Sequence, residues 1–172
     1  MKEAPVSLRG TAIKYGMITA AICIVYFLVM RLAGFVNIPV LRFFNYAFLA
    51  LGLVLAFQEV THRIHKHRID YLQGLGLGFL IALITAIVFS IFIFIYSYFI
   101  DLNFLTIVKP NLPSYNGDLN PYIIGVFIFG ESIIFGVVLN FIIMQFYKRN
   151  LGADNEVEEE AEEHRHHSAS KI

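Results

Sequence analysis

One carboxylate stands where a membrane-spanning helix would be expected to carry none. Glu131 lies near the middle of the apolar run from Pro121 to Tyr147, displaced slightly toward its N-terminal side. A charge at that depth costs about 2.5–3.5 kcal/mol on insertion scales. The surrounding Phe, Ile and Val residues each return a few tenths of a kcal/mol, so the segment still inserts. Glu131 is therefore expected to face other helices and not lipid. Two chemistries suit it there: a carboxyl group hydrogen-bonded across a helix interface, or a proton or cation site in a small transporter. Thr85, Ser90 and Tyr26 are the partners expected at similar depth. Asn140 lies nine residues further on, about 180° round a helix, so it does not share a polar face with Glu131.

Other groupings carry weaker chemistry. Glu59, His62 and His65 recur every third residue and include zinc-ligand types. Arg63, Lys66 and Arg68 crowd the same segment and disfavour a cation, so these three basic residues read better as an anchor on anionic lipid headgroups. His65 to Asp70 spells H-x-x-x-x-D, an acyltransferase-like signature too short to carry weight alone. His164, His166 and His167 follow an acidic run and read as part of a solvated tail. No Gly-rich phosphate loop, H-E-x-x-H or G-x-S-x-G occurs. The expectation is a non-enzymatic protein with no catalytic residues, no metal site and no cofactor. The one basic cluster is short and abuts an apolar run, which does not suit nucleic acid.

The elements that position these residues are apolar helices. Hydrophobic residues make up 58% of the 172-residue chain and charged ones 15%, with mean hydropathy +0.68; soluble domains sit near 45–50% and about 25%. A polar N-tail (1–10) precedes four spans at about 11–34, 43–60, 71–100 and 121–147. The third, Tyr71 to Ile100, has no charged residue and is bracketed by Asp70 and Asp101. As a helix it would reach about 45 Å against about 30 Å of hydrocarbon. Pro110, Pro113 and Asn116-Gly117 mark a loop before the last span, and Pro121 suits its first turn. Residues 150–172 lack apolar residues to pack and are expected to be disordered. The first span lacks a small-x-small cleavage site and reads as retained. Cys23, the single cysteine, lies within it, so no intramolecular disulfide forms.

Basic residues set the expected orientation. Lys2, Arg9, Lys14, Arg63, Lys66, Arg68, Lys148, Arg149, Arg165 and Lys171 fall on one side, against Arg31, Arg42 and Lys109 on the other. Both termini should face the cytoplasm. Tyr15, Tyr46, Tyr71, Tyr98, Tyr122 and Tyr147 lie near span ends, as an aromatic belt would. Small residues recur every fourth position in the third span (Gly74, Gly78, Ala82, Ala86, Ser90) and in the fourth (Ser132, Gly136, then Asn140). Such rows let helix backbones approach, so these two spans should pack along them, or one row should form a homodimer interface.

Lys14-Tyr15-Gly16, the basic loop closing on Tyr71-Leu72-Gln73-Gly74, and the run GLGLGFLIALITAIVFSIFIFIY resemble an uncharacterised family. Its members are small four-span bacterial membrane proteins known only as a domain of unknown function. The resemblance covers about residues 10–150 and implies a multi-pass helical protein of the bacterial inner membrane, with no established activity or site residues to carry over. The fold expected is all-α, an integral membrane four-helix transmembrane bundle. Its expected partners are membrane lipid and a further copy or another membrane protein.

Overall fold

The computed structural model describes residues 8–35, 38–63, 71–101, 104–108 and 120–169. Its helices are α1 (Leu8–Leu32), α2 (Pro39–Arg42), α3 (Phe44–Arg63), α4 (Tyr71–Ile95), α5 (Phe104–Val108) and α6 (Pro121–Ala169); a π-helical turn, Tyr96–Ile100, prolongs α4. Four segments are long and apolar enough to cross a membrane: Leu8–Leu32, Phe44–Thr61, Tyr71–Ile100 and Pro121–Tyr147. The protein is a multi-pass, all-helical membrane bundle.

Local chemistry explains where the helices start and stop. At the end of α1, Gly34 takes φ +77°. Its N–H donates to Arg31 O (3.2 Å) and that of Phe35 to Met30 O (3.0 Å). Together these satisfy orphan carbonyls as a Schellman motif, at the left-handed position glycine fills without strain. Pro39, expected to mark a turn, opens the single-turn helix α2. Asn120 caps α6 by accepting the Ile123 N–H at 2.9 Å, with Pro121 supplying a first residue whose N–H is not needed. Helix α6 runs on past the last span to Ala169. Six Glu and three Ala stand between residues 151 and 169, and both types favour helix without tertiary support.

Named contacts give the directions of the spans. Gly74, Gly78 and Ala82 of α4 lie against Met144, Asn140 and Gly136 of α6, a strictly antiparallel register. Gly52 of α3 lies against Thr19 of α1, and Gly16 of α1 against Ile84 and Ile81 of α4. The chain therefore runs up, down, up, down. Helix α4 packs mainly on α1 and α6, α3 packs on the same two helices, and α3 and α4 lie across the bundle from each other. The α4 row of small residues is thus turned inward against α6.

The closest approach is at Gly78. Its missing side chain leaves the space that the Asn140 amide fills, and Asn140 Nδ2 donates to Leu75 O at 2.8 Å. Asn140 Oδ1 is buried with no conventional donor among the described residues, but it lies in the direction of a Gly78 Cα hydrogen, a weak donor common at helix interfaces. A methyl group at residue 78 would overlap the amide. Gly78→Ala should therefore destabilise the bundle by about 1–3 kcal/mol through overpacking. The same change in an Asn140→Ala background should cost much less. Reversible denaturation of the four proteins in micelles, read as a double-mutant cycle, checks this.

Candidate functional site

Beyond Ala82 and Gly136 the helices part around a chamber of about 80 Å³, room for several water molecules. All four spans line it: Cys23, Tyr26 and Phe27 from α1, Asn45, Tyr46 and Leu49 from α3, Thr85, Ala86 and Phe89 from α4, and Ile128, Glu131 and Ser132 from α6. Toward the end of the bundle that carries Lys14, the interior is filled by Leu53, Phe57, Leu77, Ile81 and Met144, all buried. Toward the Arg31 end, Phe27 makes edge contacts with Phe92, Tyr96 and Phe104 at centroid distances of 5.2–5.9 Å. These aromatics and the buried α5 residue Phe104 form a roof. Of its lining residues, Phe35 and Ile38 are 50% and 40% exposed.

Glu131 reaches the chamber because of where it sits on α6. It precedes Phe135 by four residues, about 40° round the helix, and Phe135 stacks on Tyr46 of α3 at 4.1 Å. That places Glu131 on the side of α6 that faces α3. Two of its expected partners, Tyr26 and Thr85, share the chamber with it. The Tyr26 hydroxyl donates to Leu41 O at 2.9 Å. The Thr85 hydroxyl proton is held within α4 and toward α1, with Ile81 O at 2.9 Å and Gly16 O at 3.2 Å. The third expected partner, Ser90, does not line the chamber; its hydroxyl donates to Ile87 O at 3.1 Å, back along its own helix.

Other residues singled out in the sequence separate spatially. Gly74, Gly78 and Gly136 make the closed seam, Ala82 both meets Gly136 and borders the chamber, and Ala86 and Ser132 lie on the chamber wall. Glu59 takes Lys14 Nζ at 2.8 Å and the Tyr15 hydroxyl at 2.6 Å, so it fastens α3 to α1. Arg63 is the last residue of α3, while Lys66, Arg68 and His65 lie outside the described residues. Among the described residues no group of three or more His, Cys, Asp or Glu side chains converges as a metal site would.

Three site features were missed in the sequence. Arg31 pairs with Asp101 and donates through Nε to the Tyr96 hydroxyl at 3.3 Å, joining α1 to the π turn after α4. Asn45 contributes a buried amide oxygen with no partner among the described residues. Helix α5 folds inside the linker and supplies Phe104. Opposite charges at two span ends, Arg31 and Asp101, were the available signal for the first.

Tyr26 ties α1 to α2 at the chamber's edge, so Tyr26→Phe should lower stability by about 0.5–1.5 kcal/mol. It should also speed modification of the buried Cys23 by a membrane-permeant maleimide. Denaturation midpoints and labelling rates in micelles check both effects.

No curated protein and no solved structure matches the chain. A family pattern described as "Protein of unknown function (DUF4199)" matches residues 14–149, from the first residue of the Lys14–Glu59 pair to the end of the last span. By that match the chain belongs to the DUF4199 family.

Proposed function

We propose that the protein is a non-enzymatic, accessory component of the bacterial inner membrane whose helix bundle holds a small ligand within the membrane. One observation carries this reading: four spans contribute side chains to one chamber, and the bundle is packed shut on the Lys14 side of it. A bundle packed shut over half its length suits binding better than conduction. Both termini lie in the cytoplasm in this reading, with the Lys14 end inward, as the excess of basic residues on that side supports. Arg63, Lys66 and Arg68 then meet anionic headgroups of the inner leaflet.

A second reading is a proton- or cation-coupled transporter working through Glu131. The placing of this carboxylate on the chamber wall with Tyr26 and Thr85 favours it. It would require the packed half between Leu53 and Met144 to open in turn.

Flux in proteoliposomes separates the two. Binding without transport predicts no proton-linked flux above protein-free vesicles. A flux that Glu131→Gln abolishes would establish the transporter, since glutamine keeps the shape of the side chain and cannot titrate. Orientation is tested in a Cys23→Ser background. An impermeant maleimide should label Asn116→Cys in intact spheroplasts and Ser168→Cys only after lysis; the reverse pattern would invert the topology.

A further inference from the structure

We infer that the chamber binds a small protonated amine carrying an apolar body, an inference that rests on reading the chamber as a ligand site. Its polar lining comprises the hydroxyls of Tyr26, Tyr46, Thr85 and Ser132, the Asn45 amide and the Glu131 carboxyl group. The Tyr26 and Thr85 hydroxyl protons are already committed to backbone carbonyls, so those two oxygens can act toward a guest only as acceptors. Glu131 brings a carboxylate to the same wall. Asn45 lines the same chamber, and its Oδ1 is a buried acceptor with no donor among the described residues; such a group costs about 1–3 kcal/mol until a shift of the side chain lets a donor reach it. The described lining residues include no Lys, Arg or His.

An ammonium group carries three donors and no acceptor, so it complements this set. An alcohol carries one donor and an acceptor, and a carboxylate carries none. The remaining walls are apolar and aromatic, Phe27 and Phe89 among them, which suits a hydrocarbon body and adds a favourable ring face for a cation. Phe35 and Ile38, the exposed members of the lining, are themselves apolar, which suits approach by an amphipathic cation from the membrane boundary.

The test uses the full chain in micelles, with 4-fluorobenzylamine and 4-fluorobenzyl alcohol titrated by fluorine NMR against protein-free micelles. The amine should bind saturably and at least tenfold more tightly than the alcohol. Glu131→Gln should weaken the amine at least tenfold and change the alcohol less than twofold. Asn45→Leu, an independent variant, should also weaken the amine severalfold. Equal binding of amine and alcohol, or an amine affinity that neither variant changes, overturns the inference. Saturable binding of the alcohol alone removes the amine and leaves the chamber as a ligand site. If neither compound binds saturably, the ligand-site reading falls as well.

Discussion

The antiparallel seam between α4 and α6 is the constraint from which the rest of the bundle follows. Lipid tails are as apolar as the helices they surround, so burial of apolar surface gives little drive for one helix to choose another. Close backbone approach and a few interhelical hydrogen bonds supply it instead. Gly74, Gly78 and Ala82 give α6 that approach, and Gly136 returns it from the other side. The Asn140 amide then fixes the register, because its only space is the one Gly78 leaves and its Nδ2 reaches Leu75 O. A slip of one residue would drive the amide into a side chain.

The same row explains why the bundle opens. A four-residue step advances about 400° on an ideal helix, so a small-residue row drifts about 40° per step. By Ala86 and Ser132 the row has turned from the seam toward the middle of the bundle, where both residues line the chamber. Small residues that close one half of the interface leave space in the other. The bundle is held at both ends of this gradient. Lys14 and Tyr15 converge on Glu59 at the packed end; Arg31 joins Asp101 and Tyr96 at the end beyond the chamber. In the second cluster the π turn places both partners of Arg31 on one side of the extended α4.

Much of this architecture was legible because hydropathy and small-residue spacing are one-dimensional signals. Four charge-poor runs give four spans, and the period of four in Gly74, Gly78 and Ala82 marks a helix face before any neighbour is known. The chamber was legible only as a suspicion attached to Glu131. Its other members are scattered along the chain, and nothing in the sequence ties Asn45 to Glu131 or Phe104 to Phe27. Those meetings depend on which helices lie diagonal to each other, and that is decided by packing. Ser90 shows the limit from the other side: its depth suited Glu131, but its hydroxyl bonds back to Ile87 O. Helix α5 was hidden because the turn formers around it, Pro110, Pro113 and Asn116-Gly117, dominate the composition of the linker.

Glu131 and Asn140 together show how the fold assigns different tasks to polar residues on one span. They lie on opposite sides of α6, and the structure gives each a different setting. Asn140 is 1% exposed and locked against α4, where a neutral amide can bond to a backbone carbonyl without the cost of a charge. Glu131 sits half-buried at a cavity wall, where water or a donor can reach a carboxylate. Exchanging them would put the costlier group in the drier place, since an ionised carboxylate needs far more compensation than an amide when removed from water. The amide serves the seam and the acid serves the chamber. On that physical ground, the Glu131 level of the bundle is where an acid is tolerated, while the Asn140 level holds the helices in register.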